Sequence, residues 1–265
     1  MKNIGFLGAG NMGYAIMKGI SQSELKDVKL FAYDLSEESL KRAESVGATV
    51  CSSENELVEK SDFVFLAVKP QVLSPVLEKI KSSLTPDKVV ISIAAGITGE
   101  YLKKRTNENL KAILVMPNTP LLLGEGATAL SKVSPTTDDE FSLVCDIFNA
   151  CGKTSVLSED KMKEIIAVNG SSPAFIYLFA KGFIDYAQSE GIDPLVAKEL
   201  FAQTLIGSAK MITDSGNTIE ELIKMVSSPG GTTLAGLDRL YEGDLTGVVK
   251  NACESCTKRA YELSE

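Results

Sequence analysis

The chain has 265 residues, 44% of them hydrophobic and 23% charged, enough for one large domain or two ordinary ones with a sizeable core. Its formal net charge of -8 argues against a nucleic-acid partner, and no run of about eighteen apolar residues suggests a membrane span. Histidine is absent, which excludes serine–histidine hydrolysis and histidine-assisted alcohol oxidation, so acid–base work falls to other side chains or to water.

A strand pattern starts at once in Ile4-Gly5-Phe6-Leu7, so Met1-Lys2-Asn3 leaves no room for a signal peptide and a cytoplasmic location is expected. Further apolar runs of strand length follow at Val28–Tyr33, Phe63–Val68, Val89–Ile93 and Ala112–Met116. Such near-continuous runs suit parallel strands buried on both faces. Helical patterns separate them at Met12–Ser21, Glu37–Ser45, Val72–Ser82 and Thr98–Arg105. This alternation reads as an α/β fold of the Rossmann-type doubly wound class. A strand at Ala127–Leu130, a helix over Asp138–Ala150 and a short strand at Thr154–Val156 complete the first part.

After Ser158 only helical patterns remain, at Ala174–Glu190, Leu195–Asp214, Ile219–Val226, Leu234–Glu242 and Leu245–Leu263. Two domains are expected, 1–158 for the dinucleotide and 159–265 all-helical. In the second helix, eleven of the eighteen residues from Leu195 to Ile212 are apolar and wrap more than one face. Such a helix must be buried, and a domain of about 100 residues rarely buries one alone, so a second copy of the chain is the expected cover, with burial within one subunit as the alternative. The five scattered cysteines read as reduced thiols. Cys253 and Cys256 have the CxxC spacing, but no histidine completes a set of four ligands, and no metal site is expected.

The chemistry lies at two glycine-rich segments. Gly8-Ala9-Gly10-Asn11-Met12-Gly13 follows the first strand and opens the first helix, the context a dinucleotide fingerprint needs. Gly8 permits the turn, Gly10 lets backbone approach a pyrophosphate, and Gly13 lets helix and strand pack closely. Asp34 ends the second strand, where a carboxylate accepts from ribose hydroxyls and repels a 2′-phosphate; this leans to NADH. Three more loops end strands on the same rim: Ala67-Val68-Lys69-Pro70, where Pro70 should stop the strand and force a loop, Ala94-Ala95-Gly96, and Met116-Pro117-Asn118-Thr119-Pro120. Small residues at 94–96 would admit a flat nicotinamide, and Asn118 can hydrogen-bond a ligand. Far along the chain, Ser227-Ser228-Pro229-Gly230-Gly231-Thr232-Thr233 breaks the backbone and opens a helix with a threonine suited to capping. Free first-turn amides there favour an anion such as a carboxylate, although a plain capped turn would look the same.

The chain resembles the pyrroline-5-carboxylate reductase family nearly end to end. The carriers are Gly8–Gly13, Ala67–Pro70, Met116–Pro120, Gly170-Ser171-Ser172-Pro173-Ala174-Phe175 and, most specifically, Ser227–Leu237. Asn169 and Ser172 stand where serine and glycine are expected, and the stretch 214–217 matches poorly. The resemblance implies reduction of the C=N bond of 1-pyrroline-5-carboxylate to L-proline, the last step of proline biosynthesis, with NADPH or NADH as hydride donor. It also implies a homodimer or larger homo-oligomer. Substrate binding would fall to Val226, Ser227, Ser228, Gly230, Gly231, Thr232 and Thr233, with Thr233 matching the threonine that hydrogen-bonds the imine nitrogen. Cofactor contacts would come from Gly8 to Gly13, Asp34, Ala67 to Pro70, Ala94 to Gly96 and Asn118. A protonated imine is already electrophilic, which suits a chain without histidine. Two rivals are weaker: a 3-hydroxyacid dehydrogenase, whose lysine has no counterpart before Lys181, and a dinucleotide sensor, which needs no second anion site.

Overall fold

A computed structural model describes residues 1–25 and 27–263; residue 26 and residues 264–265 of the two expected domains lie outside it. The chain forms two compact units, Met1–Pro173 with the end of the last helix from Ser255, and Ala174–Glu254.

Among the described residues the first unit holds eight strands: β1 (Lys2–Leu7), β2 (Val28–Tyr33), β3 (Thr49–Val50), β4 (Phe63–Leu66), β5 (Val89–Ser92), β6 (Lys111–Met116), β7 (Gly126–Val133) and β8 (Gly152–Val156). They lie in the order β3-β2-β1-β4-β5-β6-β7-β8. The first six are parallel, β7 runs antiparallel to β6, and β8 is parallel to β7. The helices are α1 (Asn11–Gln22), α2 (Glu37–Ser45), α3 (Glu54–Lys60), α4 (Pro70–Ile80), α5 (Gly99–Arg105) and α6 (Asp138–Asn149).

Side chains alternate across the strands, so one run feeds two cores. Phe6, Phe65, Ile91 and Ile113 pack on one face with Ile16 and Met17 of α1 and Phe148 of α6. Phe6 stacks on Phe65 at 4.5 Å between ring centroids. Val64, Leu66, Val90 and Leu114 pack on the other face with Leu57, Leu73, Leu77 and Leu102. The strands read as continuous apolar runs because both faces are covered.

Two expectations are corrected here. Nothing was expected between Ser45 and Phe63, where β3 and α3 stand. Pro70 does not force a loop: it is the first residue of α4, with Lys69 at the N-cap, because proline suits the first helical position, where the amide has no partner. The loop after β4 is only Ala67–Lys69. All five cysteines are free. Burial pushes the Cys151 thiol up to about 11, so it packs as a neutral group.

The remaining helices are α7 (Ser172–Ser189), α8 (Pro194–Asp214), α9 (Ile219–Met225), α10 (Thr232–Glu242) and α11 (Leu245–Glu262). Phe183 of α7 stacks on Phe201 of α8 at 4.3 Å. Thr218 opens α9 as a capping box with Glu221, and Asp193 with Pro194 opens α8. No residue of α8 is buried within the chain, and Leu195, Leu200, Ile206 and Ile212 are each at least half exposed. Among the described residues, no helix is long and apolar enough to cross a membrane.

Candidate active site

At the carboxyl end of β1 the backbone turns through Gly8, whose φ of 102° is left-handed and so favours glycine. A Cβ on Gly8 would stand 2.5 Å from the Ala67 carbonyl oxygen, and one on Gly13 would stand 2.3 Å from the Gly8 carbonyl oxygen. These two glycines hold β1, β4 and α1 together. Gly10, the N-cap of α1, has nothing within 4 Å of the place a Cβ would occupy. The first turn of α1 carries no acidic residue. Its Asn11, Met12 and Gly13 amides have no intramolecular partner among the described residues. Open space, free N–H groups and a helix dipole together make a phosphate cradle, so the residues present fit a dinucleotide.

Asp34 follows β2. Its Oδ2 accepts the Ala9 N–H at 2.6 Å and its Oδ1 accepts the Ser36 N–H at 2.9 Å. The carboxylate is thus pinned to the glycine-rich turn. A groove of about 280 Å³ beside it is lined by Gly8, Leu35, Val68, Val72, Pro75 and Val76. Its α4 wall was missed in the sequence; the signal was Pro70, which starts the helix early enough to bring Val72 and Val76 to the strand ends. Arg42 was also passed over as a site residue. Its guanidinium lies 4.3 Å over the Tyr14 ring and donates to Asn11 Oδ1 at 3.3 Å, beside the cradle. Lys69 is exposed at the α4 N-cap.

Further along the rim, Ala94, Ala95 and Gly96 line a narrow cleft with Ser92, Met116 and Met162. A Cβ on Gly96 would stand 2.7 Å from the Ala260 carbonyl oxygen, so the end of α11 covers this loop. Asn118 is buried, and its Oδ1 accepts the Ala127 N–H at 2.9 Å, fastening the loop after β6 to β7. Asn169 completes the tie from a π-helical turn, Ile166–Gly170: its Nδ2 donates to the carbonyls of Met116 at 2.7 Å and Ala127 at 2.9 Å. The Asn169 Oδ1 is buried and, among the described residues, unpartnered. The departure from the expected serine was the sequence signal for it.

The second glycine-rich segment belongs to the other unit. α9 ends at Met225, and Val226 is its C-cap. Ser227 spends its hydroxyl on the Ile223 carbonyl at 2.7 Å. Gly230 is left-handed, with φ 70°, and the Gly231 N–H closes the turn onto the Ser228 carbonyl at 2.9 Å. The expected threonine cap is corrected: Gly231 is the N-cap, and Thr232 and Thr233 are the first two residues of α10. The turn through Gly230 decides this by setting where helical geometry starts. The correction frees the threonine hydroxyls. The first turn of α10 carries no acid, and the Thr232, Thr233 and Leu234 amides have no intramolecular partner among the described residues.

Two family models match the chain, one in each half. Residues 159–263 match the family described as pyrroline-5-carboxylate reductase dimerisation, and residues 3–96 match the NADP oxidoreductase, coenzyme F420-dependent family. The chain is 34% identical over 266 residues to the pyrroline-5-carboxylate reductase of Escherichia coli strain K12, covering 100% of this chain and 99% of that one. The chain belongs to the pyrroline-5-carboxylate reductase family. The reductase of Pisum sativum is 37% identical over 98% of this chain and 96% of its own. The crystal structure of the Plasmodium falciparum reductase with NADP bound superposes with a TM-score of 0.91 at 32% identity, covering 100% of this chain and 98% of that one. Among the described residues there is no cluster of three or more metal-ligating side chains.

Proposed function

We propose that this member of the pyrroline-5-carboxylate reductase family reduces the C=N bond of 1-pyrroline-5-carboxylate to give L-proline in the cytoplasm. The observation that carries the reading is the pair of acid-free helix N-termini, each opened by a glycine turn. One suits a pyrophosphate and the other a carboxylate. A reduced nicotinamide dinucleotide, when bound, supplies the hydride. The turn Gly8–Gly13 holds its phosphates, Asp34 its adenosine ribose, and the small residues 94–96 leave room for the ring. The buried Asn169 Oδ1 on that rim is an acceptor of the kind a carboxamide N–H satisfies.

The substrate carboxylate lies on the free amides of Thr232, Thr233 and Leu234, with Val226 to Gly231 shaping the turn around it. The Thr233 hydroxyl orients the imine nitrogen. Hydride adds to the imine carbon, the C=N π electrons become the nitrogen lone pair, and the iminium proton stays on nitrogen. No strong general acid is needed, consistent with a chain that has no histidine. The reaction requires the carbon held by α10 to meet a hydride held by the glycine-rich turn, of its own chain or of a second copy. We assign 1–158 to dinucleotide binding and 159–265 to substrate binding and homo-oligomerisation, supported by the end of the sheet at Val156 and by the exposed apolar surface of α8.

The test is a steady-state assay of the purified chain with 1-pyrroline-5-carboxylate and either reduced cofactor, scored by L-proline formed. Thr233→Ala should lower kcat/KM by roughly tenfold to a thousandfold, the range of a lost transition-state hydrogen bond. Unchanged kinetics would remove Thr233 from the mechanism; no proline with either cofactor would remove the reading.

A further inference from the structure

We propose that the rim formed by Asp34, Leu35, Ser36, Glu37 and Glu38 selects NADH over NADPH. The inference rests on the reading of Gly8–Gly13 as the dinucleotide turn, and it deepens that reading. An acidic side chain at the end of the second strand of such a fold receives the adenosine 2′-hydroxyl, and a 2′-phosphate placed there needs a cation instead. In this chain the acid cannot swing aside. Both Asp34 oxygens are anchored by backbone amides, of Ala9 at 2.6 Å and of Ser36 at 2.9 Å. Each oxygen keeps further lone-pair capacity for a hydroxyl donor, and neither can donate to a phosphate.

The rest of the rim offers a phosphate no cation. Leu35 is 90% exposed and apolar. The Ser36 hydroxyl accepts the Ser39 N–H as the cap of α2. Glu37 and Glu38 fill the first turn of that helix, so its positive end is already met by the chain's own carboxylates. The nearby cations lie outside this segment. Lys79 pairs with Glu54 at 3.0 Å. Arg42 lies over Tyr14 and bonds Asn11, and Lys41 points to solvent from α2. A dianionic phosphate would meet three carboxylates and no free cation on this segment, and like charges brought together across a binding surface are strongly disfavoured.

The experiment measures binding as well as turnover. Fluorescence titration should give a dissociation constant for NADPH at least about tenfold above that for NADH at low salt, narrowing as salt screens the repulsion. Asp34→Asn keeps the shape and an acceptor for the Ala9 amide but removes the charge; it should shrink the ratio by about tenfold or more. Leu35→Arg, at a position 90% exposed, should tighten NADPH alone. Wild-type binding of NADPH equal to or tighter than NADH would overturn the proposal, as would a ratio unmoved by both variants. Binding of neither cofactor would overturn it together with the dinucleotide reading. Selective NADH binding without proline formation would sustain the preference and sink the reductase reading.

Discussion

The glycines of the first turn differ in what each excludes. Gly13 is enclosed: an added methyl meets the Gly8 carbonyl oxygen at 2.3 Å, and that oxygen is backbone in a tight turn. Gly13→Ala should cost about 1–3 kcal/mol, as overpacking does, and should lower Tm by several degrees in a thermal melt of the cofactor-free protein. Gly10 faces open space, so Gly10→Ala should fold with nearly the wild-type Tm. Its methyl would stand where a pyrophosphate must approach. Loss of one charged hydrogen bond, about 1.5–3 kcal/mol, would weaken cofactor binding roughly ten- to a hundredfold by fluorescence titration. A Gly10→Ala protein that binds as tightly as wild type would show that the phosphates lie elsewhere. The enclosure of Gly13 and the open space at Gly10 were legible because the spacing of Gly8, Gly10 and Gly13 places them relative to a strand end. The place of Thr232 was not legible in the same way. A threonine after two glycines can be a cap or a first helical residue, and the left-handed Gly230 decides between them.

At the scale of elements, the long apolar strands were readable and the short polar insertions were not. β3 has two residues, Thr49 and Val50, too few for a pattern of period two. α3 has seven and only two buried side chains, Leu57 and Val58. Its signal was chemical rather than periodic: Ser53 caps the Glu56 amide, and the Glu56 carboxylate reaches back to the Ser52 N–H and hydroxyl, each at 2.6 Å. With Lys60 bonded to it and the Ser52 donors beside it, the Glu56 carboxyl is pulled from 4.5 to about 2. A folded-state value below the unfolded one means that this contribution is fully present above pH 4.5 and is lost as pH falls toward about 2. Glu56→Gln removes the titration and should flatten that part of the acid limb. Urea midpoints at pH 5 and pH 3 should therefore fall further in wild type than in the variant; equal falls would show that the Glu56 bonds contribute nothing.

At the scale of the whole molecule, the second unit presents a problem that one chain does not solve. α8 carries eleven apolar residues among the eighteen from Leu195 to Ile212, yet none of its residues is buried, and an open apolar groove runs between Met211, Ile212, Ile219 and Ile223. The sequence showed that this helix must be covered but could not show by what, because apolar periodicity records burial and not the identity of the neighbour. Apolar surface on this scale marks an association site, and covering it with a second copy places the same helix on both sides of a twofold contact. Leu200 and Ile206 then lie within a self-complementary face, so one substitution acts twice. A Leu200→Glu, Ile206→Glu double variant brings four unpaired carboxylates into that face, each costly to desolvate. Light scattering at low micromolar concentration should give wild type a mass at least twice the 28.3 kDa of one chain, and the variant a mass near 28.3 kDa with the same far-UV circular dichroism. If the imine held by α10 is reduced at the partner's nicotinamide, the monomeric variant should also bind NADH normally and make almost no proline. Retained turnover in a monomer would place both halves of the reaction within one chain, and a monomeric wild type would remove the second copy altogether.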